Sequence, residues 1–345
     1  MAIGSADGLL GGPRLDGRPE SWAEHRARLG PLPSIGSAEL IHALDASGLL
    51  GRGGAGFPVG RKWRAMAERR SGGAVVLANG AEGEPLSAKD RMLMAHRPHL
   101  VLDGAQLAAQ AVGADEVVVY VGSEHGQAVA ALDKAVAERA RSWPPTRLVR
   151  APIGYVAGEA SAAVHFVNAA DVRPTTAPPR VSERGIAGRP TLVQNVESLA
   201  WTALIARFGA DWYLGRGRAS TPGRALVTVT GGPRDQVTEI ELGTTVRELV
   251  IEAGGDPERL GAIVLGGYFG TWVSARGALD LALDPAELRA LGLTFGCGLV
   301  GLLPDDECGL VATGRILGFL AAESAGQCGQ CVWGLRAIAE TAAAL

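Results

Sequence analysis

The sequence predicts an α/β protein: a layered domain with a largely parallel sheet, then a small α+β module of the β-grasp kind, then a helical C-terminal domain. Three observations carry this. Between Ser37 and Arg207, helical and strand-like runs alternate, the pattern of strands joined by covering helices. After a linker rich in Gly, Arg, Ser and Pro (Gly215–Gly223), two strands, a helix and a returning strand follow in close succession. From Pro285 onward the composition turns helical. The expected divisions are an extension over residues 1–36, the α/β domain over 37–215, the β-grasp module over 222–278 and the helical domain over 285–345.

In chain order, Ala38–Ala46 reads as a helix with Ser37 as N-cap, and Ala74–Leu77 as a buried strand. Leu100–Val112 is an Ala/Leu helix, Glu116–Val121 a strand, Gln127–Ser142 a helix and Arg147–Arg150 a strand. In the second block, Ala225–Thr230 and Thr238–Leu242 read as strands and Val246–Glu252 as a helix. Ile263–Leu265 is the returning strand, with Gly-Gly-Tyr after it. Val311–Glu323 and Val332–Leu345 are the clearest helices of the third; their alanines need no explanation beyond helix propensity.

Composition sets the outer limits. The chain has 345 residues, 47% of them hydrophobic and 20% charged, ordinary for a globular protein of two or three domains. Its 49 glycines are nearly twice the usual share of about 7%, so close backbone approaches should be frequent. A net charge of −3 without a basic stripe argues against nucleic acid. The N-terminus has no basic segment followed by an apolar core, and Leu291–Pro304 is too short and glycine-rich to span a membrane. Four cysteines do not make a secreted disulfide scaffold. The expected location is the cytoplasm.

The most informative stretch is Gly51-Arg-Gly-Gly-Ala-Gly-Phe-Pro-Val-Gly-Arg-Lys-Trp63. Gly51, Gly53, Gly54, Gly56 and Gly60 leave a bare backbone whose N–H groups can form an anion-binding concavity, with a helix N-terminus beyond. Arg52, Arg61 and Lys62 add charge; Phe57 and Trp63 add flat apolar faces. Phosphate donors beside aromatic planes suit a nucleotide cofactor, against the plainer reading of a glycine-rich hinge.

A second motif, Asn79-Gly-Ala-Glu-Gly-Glu-Pro-Leu-Ser-Ala-Lys-Asp-Arg91, follows the strand Ala74–Leu77, where ligands of open α/β sheets sit. Glu82 and Glu84 share a side of an extended loop, and Asn79 can donate to and accept from a ring edge. The plainer reading is a solvated loop with Lys89, Asp90 and Arg91 as surface charges. Gly154-Tyr-Val-Ala-Gly-Glu-Ala-Ser161 places Tyr155, Gly158 and Glu159 before a helix. Arg189-Pro-Thr-Leu-Val-Gln-Asn-Val-Glu-Ser-Leu199 carries Val193, Gln194, Asn195 and Ser198 into a helix beginning near Val196. His42, His125 and His165 have no Cys or carboxylate cluster at metal-ligand spacing around them, and no hydrolase signature is present.

Together these four motifs resemble the NADH-binding flavoprotein subunit of bacterial respiratory complex I and its relatives in NAD-linked hydrogenases and formate dehydrogenases, over about Leu49 to Leu335. The resemblance implies a Rossmann-like FMN domain, a β-grasp (SLBB) domain and a helical iron–sulfur domain. It implies that Gly51, Arg52, Gly53, Gly54, Gly56 and Lys62 cradle the FMN phosphate and ribityl chain. Asn79, Glu82, Tyr155, Gly158 and Glu159 would surround the isoalloxazine and the nicotinamide entry. Val193, Gln194, Asn195 and Ser198 would close on the flavin from the far side, and Phe57 would stack near the adenine. Glu82, Glu159 and Tyr155 are the residues expected to orient the hydride donor.

The chain departs from the family pattern in informative places. Ala81 stands where the family has Asp, Ala160 where it has a second Glu, and Arg180 where Lys-Pro-Pro-Phe ends in Phe. Absence of a carboxylate at 160 removes a group that would repel a 2′-phosphate, and Arg180 could pair with one, so NADH and NADPH both stand as donors. The family's cluster motif Ser-Cys-Gly-x-Cys-x-x-Cys appears as Glu323-Ser-Ala-Gly-Gln-Cys-Gly-Gln-Cys331, which leaves only Cys328 and Cys331 in register. A cluster needs four thiolates, so a [4Fe–4S] centre is not expected; a relic and a redox dithiol are the open alternatives. The expected function is an FMN-dependent oxidoreductase that takes hydride from NAD(P)H and passes electrons to a separate acceptor such as a ferredoxin. Two rivals stay open: an FMN enzyme acting on an organic substrate, and a non-catalytic subunit of an electron-transfer complex.

Overall fold

The structure is a computed structural model and describes residues 8–12, 17–69, 73–139, 144–218 and 221–344. Parts of the expected N-terminal extension and of the 215–223 linker, the end of the helix expected to reach Ser142, and Leu345 lie outside the described residues.

The first unit begins with helices α1 (Trp22–Leu29), α2 (Ser37–Ser47) and α3 (Val59–Ala67). Strand and helix then alternate: β1 (Ala74–Gly80), α4 (Lys89–His96), α5 (Pro98–Val112), β2 (Ala114–Gly122), α6 (Gly126–Glu138), β3 (Thr146–Ala151), α7 (Ala160–Ala169), β4 (Thr191–Asn195), α8 (Val196–Phe208) and α9 (Ala210–Leu214). The four strands form one parallel sheet in the order β3-β2-β1-β4. Both faces are covered, and β1 is buried on both sides. Val76 and Ala78 enter the core under α2, α3, α5 and α8, whereas Val75 and Leu77 meet Val118, Tyr120, Ala163 and Val193 on the other face. Parallel strands read as continuous apolar runs for this reason. Gly104 allows α5 to lie against α8: a Cβ there would fall 1.9 Å from the Leu199 carbonyl oxygen.

Ser37 is not a cap. Gly36 holds the N-cap position of α2 without a side-chain bond, and the Ser37 hydroxyl donates instead to the Gln110 carbonyl at 2.9 Å.

A short ribbon, β5 (Gly217–Arg218) with β6 (Thr221–Pro222), leads to the second unit. There β7 (Arg224–Thr230), β8 (Gln236–Glu241), α10 (Val246–Glu252), β9 (Leu260–Leu265), β10 (Thr271–Ser274), α11 (Ala275–Ala278), α12 (Pro285–Ala290) and β11 (Leu299–Pro304) follow. The sheet order is β10-β9-β11-β7-β8, with β11 parallel to β7. β11 lies in the stretch whose composition reads as helical. It is a central strand, buried along Leu299–Leu303, so it shows no alternation to separate it from a buried helix. Two helices finish the chain, α13 (Gly309–Ala322) and α14 (Leu335–Ala343); they pack on each other and bury no residue fully.

Candidate functional site at the β1–β4 crevice

The chain leaves β1 towards β2 and β3 on one side and returns to β4 on the other. The sheet's topological switch point is therefore the gap between β1 and β4, where ligands of open α/β sheets bind. The loops after β1 and β4 meet here with the glycine loop before α3 and the Tyr155–Gly158 turn before α7. A recess of about 150 Å³ is bounded by Gly53, Asn79, Gly158, Asn195, Glu84 and Tyr155, among others. A second cavity, about 460 Å³, continues along the same loops, lined by Phe57, Lys62, Glu159, Arg180 and Val193.

Close backbone packing builds the walls. A Cβ on Gly83 would lie 2.5 Å from the Tyr155 carbonyl oxygen, and one on Gly158 would lie 2.8 Å from that of Ala81. Asn79 ties the two loops, its Nδ2 donating to the Gly158 carbonyl at 2.8 Å. Gly53 passes so near β4 that a Cβ would lie 3.2 Å from the Asn195 Cβ.

Several expected ligand groups are committed to the protein itself. Glu82 accepts from the Ser87 hydroxyl and the Asp90 and Arg91 amides, satisfying the N-terminus of α4. Glu159 caps α7, accepting from the Ser161 and Ala162 amides at 2.8 Å. Arg52 turns into the protein rather than towards a phosphate: its guanidinium donates to the Tyr213 hydroxyl and the Arg224 carbonyl, which fastens the glycine loop to β7. Its backbone amide donates to Ser198 Oγ at 2.9 Å. Gln194 accepts from the Trp63 indole at 3.3 Å and supports the site from behind. Gly51, Gly54 and Gly56 face a small crevice shared with Arg289 and Phe295, on the side of the second unit.

Lys62 is different. Its ammonium donates only to the Val193 carbonyl, and among the described residues no carboxylate is recorded within ion-pair distance of it. Burial pushes it down to about 8. A part-buried cation in the first turn of α3, held on the β4 backbone at Val193, is what a phosphate would complete. Phe57 lies half-exposed at the mouth of the larger cavity with the Arg61 guanidinium 5.8 Å above its ring. Burial, with the nearby Glu84 and Cys297, pushes the Tyr155 phenol up to about 12, so it stays protonated and able to donate.

The sequence reading missed residues that complete the recess. Lys89 and Asp90, surface charges on the plainer reading of their motif, are buried. Lys89 Nζ lies 2.7 Å from Asp90 and 3.0 Å from Glu197, and Asn195 Nδ2 donates to Asp90 at 2.7 Å. Burial raises the Asp90 carboxyl against the pull of Lys89. Glu84 accepts from the Tyr268 amide at 3.0 Å, while its Oε1 is buried without a partner. The motif after β1 held the signal for Glu84, Lys89 and Asp90. Phe269 and Cys297 arrive from the second unit, and nothing local in sequence announces them.

Comparison with known proteins agrees with this geometry. A model of the Nuo51 FMN-binding domain matches residues 44–203. An NADH-quinone oxidoreductase subunit of Rhizobium meliloti (strain 1021), designated F 2, is 30% identical over 332 residues, 92% of this chain and 79% of that protein. The chain belongs to the family of NADH-binding flavoprotein subunits.

Other members of this flavoprotein family are similar at comparable levels. The HndC subunit of the NADP-reducing hydrogenase of Solidesulfovibrio fructosivorans is 29% identical over 88% of this chain and 65% of its own length. The crystal structure of NAD+-reducing [NiFe]-hydrogenase in the air-oxidized state matches with a TM-score of 0.80 and 31% identity, covering 89% of this chain. The chain spans 53% of that hydrogenase polypeptide. The residues present are compatible with the family's FMN: Lys62 offers a cation with no carboxylate recorded at ion-pair distance among the described residues, and Gly53, Gly83 and Gly158 leave bare walls at the switch point. Among the described residues, no three His, Cys, Asp or Glu gather to hold a metal, and no helix is long and apolar enough to cross a membrane.

Proposed function

We propose that the protein is an FMN-dependent oxidoreductase that accepts hydride from a nicotinamide dinucleotide and hands electrons to a separate protein. The observation that carries this reading is Lys62, a part-buried ammonium held on the β4 carbonyl of Val193 with no carboxylate partner among the described residues, in the helix that follows the glycine loop. Bound FMN would supply a hydride acceptor that can also release electrons singly. Lys62 and the amides of the loop around Gly53 would hold its phosphate. The Asn79–Gly158 and Asn195–Asp90 bonds fix the loops that face the ring, so orientation is set before the donor arrives. The protonated Tyr155 hydroxyl and the Phe57 face would position the donor; Glu82 and Glu159 act by holding the helices that frame it. The partner reading draws on the relatives named as subunits of larger enzymes and on the exposed Leu310, Val311, Trp333 and Ile338 of the C-terminal segment. A small ferredoxin would meet the chemical requirement of a one-electron acceptor.

An absorbance spectrum of the protein as isolated, followed by anaerobic mixing with NADH, tests the proposal. A yellow protein whose flavin band bleaches on mixing is expected. A colourless protein that takes up no FMN would leave the non-catalytic subunit; a yellow protein that neither NADH nor NADPH bleaches would point to an organic substrate.

A further inference from the structure

The segment after α13 is pinned beside the flavin recess. Phe319 stands edge-on to Tyr155 and Tyr268, at 6.0 and 5.5 Å between ring centroids. Glu323 accepts the Tyr155 amide at 2.7 Å, and Gln327 donates to the Pro174 carbonyl at 2.8 Å. The chain turns at Gly326, with φ of 66°, and enters a wide helical turn, Gln330–Gly334, that runs into α14.

Cys328 lies just ahead of that turn and Cys331 within it. The Val332 amide donates to the Cys328 carbonyl at 2.9 Å, closing a helical turn that carries Cys328 and Cys331 three residues apart. The nearby Cys331 amide and thiol, with the Gln330 amide, hold the Cys328 thiol below its ordinary value. Amides at a helix start favour a thiolate on the sulfur they face. Residues three apart on a helix have Cβ atoms roughly 5–6 Å apart, and a small closure brings them to disulfide range. Cys328 is exposed and Cys331 half-buried, so the outer thiol meets an incoming reagent first. The Ser324 hydroxyl holds the Cys331 carbonyl at 3.1 Å and steadies the turn.

The other two thiols have settings of their own. Cys308 precedes α13, whose 14 residues span about 21 Å, so it sits at the opposite end of that helix. Cys297 is turned to the Gly266 carbonyl at 3.2 Å beside the flavin recess. Among the described residues no three His, Cys, Asp or Glu gather around a metal position, which leaves this pair to dithiol chemistry.

We propose that Cys328 and Cys331 form a thiol–disulfide exchange site for small-molecule disulfides, with Cys328 attacking and Cys331 resolving. The Cys328 thiolate forms a bond to one sulfur of the incoming disulfide as that disulfide's S–S bond breaks, releasing the first thiolate. Cys331, giving up its proton, then bonds to Cys328 and expels the second. The protein dithiol loses two electrons and becomes a disulfide. The external disulfide gains those electrons and, with the two cysteine protons, leaves as two thiols. Mobile dithiols or the cell's thiol pool reverse the reaction.

The test uses the full chain with glutathione disulfide as the probe, read by differential alkylation and peptide mass spectrometry, which needs neither FMN nor NADH. In glutathione buffers of stepped ratio, a Cys328–Cys331 disulfide is expected to form and to revert as one two-electron couple. Cys331→Ser should accumulate a glutathione adduct on Cys328, while Cys328→Ser should lower the oxidation rate of Cys331 at least tenfold. Exposed Cys308 is the internal control and should gain an adduct but no internal disulfide. Absence of the Cys328–Cys331 disulfide at full oxidation would overturn the proposal. So would iron and sulfide that co-purify anaerobically and are lost in Cys328→Ser.

Discussion

Asn79 and Asn195 stand in register across β1 and β4 at the carboxyl ends of both strands, and each bridges its strand to a neighbouring loop. Asn79 holds the Gly158 carbonyl; Asn195 accepts from the Glu197 and Ser198 amides as the cap of α8 and donates to buried Asp90. Replacing Asn195 with Ala removes a cap, worth about 1 kcal/mol, and leaves a buried carboxylate short of a donor, worth about 1–3 kcal/mol. The variant should unfold about 2–4 kcal/mol more easily in urea and bind FMN more weakly. Asn195→Asp keeps the cap but sets a second carboxylate against Asp90, so it should be no more stable than the alanine variant above pH 7. A stability within 0.5 kcal/mol of wild type, about the limit of a neutral surface change, would remove Asn195 from this role.

Lys62 ties cofactor affinity to pH. Burial pushes its ammonium from 10.5 down to about 8 in the flavin-free protein. The unfolded chain therefore binds more protons between about 8 and 10.5, and the flavin-free protein should gain stability as pH rises through that window. Flavin phosphate needs the charged form, so affinity should move the other way, falling up to about tenfold per pH unit above 8. Lys62→Met should bind FMN about 10- to 100-fold more weakly at pH 7, as expected for loss of a charge-assisted bond. Fluorescence titration of FMN from pH 7 to 9.5 checks both; a slope unchanged in Lys62→Met would place the phosphate elsewhere.

Glu84 makes the joint between the two units weaken as pH rises towards and past neutrality. Burial, aided by the charge of Glu82 and opposed by the Tyr268 amide, raises its carboxyl from 4.5 to about 7. A raised folded value means the proton's stabilising contribution is complete below 4.5 and lost as pH climbs through 7. Glu84→Gln keeps an acceptor for Tyr268 and needs no proton, so its stability should be flat over that interval. At pH 8 it should exceed wild type by about 2 kcal/mol. Parallel urea unfolding curves at pH 5 and pH 8 measure the difference. Equal pH slopes in the two proteins would show that Glu84 is not the titrating group.

The parts of this architecture that could be read in sequence are those specified locally. β1 and the motif after it are adjacent in the chain, so the strand and the ligand loop at its end announce each other. The glycine loop was legible as a turn leading into α3, because bare backbone takes the conformations a side chain resists, as at Gly54 and Gly56. Arg52 was misplaced because its partners, Tyr213 and Arg224, lie more than 150 positions away. Lys89 and Asp90 looked like solvated charges because their compensation comes from Glu197 and Asn195 on another element. β11 was hidden for a related reason: a strand paired on both sides and buried on both faces carries no alternation. Long-range pairing is what a linear reading loses.

The larger cavity, where the proposed donor would lie, is lined by more positive than negative charge. Arg61, Lys62, Arg69 and Arg180 line it, with Glu159 as the acid among its lining residues, and the Glu159 carboxylate is occupied in capping α7. Arg69 is partly answered by Glu183 at 3.5 Å. Ala160 adds no charge where the family places a second carboxylate. A ligand bearing an additional phosphate therefore meets four cations against the charges of Glu159 and the neighbouring Glu183, a net attraction. NADPH should reduce the flavin at a rate within about tenfold of NADH, a gap of about 1.4 kcal/mol. Ala160→Glu should lower kcat/KM for NADPH by about tenfold or more while changing that for NADH by less, since unit charges about 4 Å apart near a surface interact by several kcal/mol before screening. Arg180→Ala should act in the same direction, and raising salt should shrink both effects. Anaerobic stopped-flow reduction with each dinucleotide separates the outcomes. If Ala160→Glu and Arg180→Ala slow the two donors equally, these positions affect the cavity's shape and not its preference for charge.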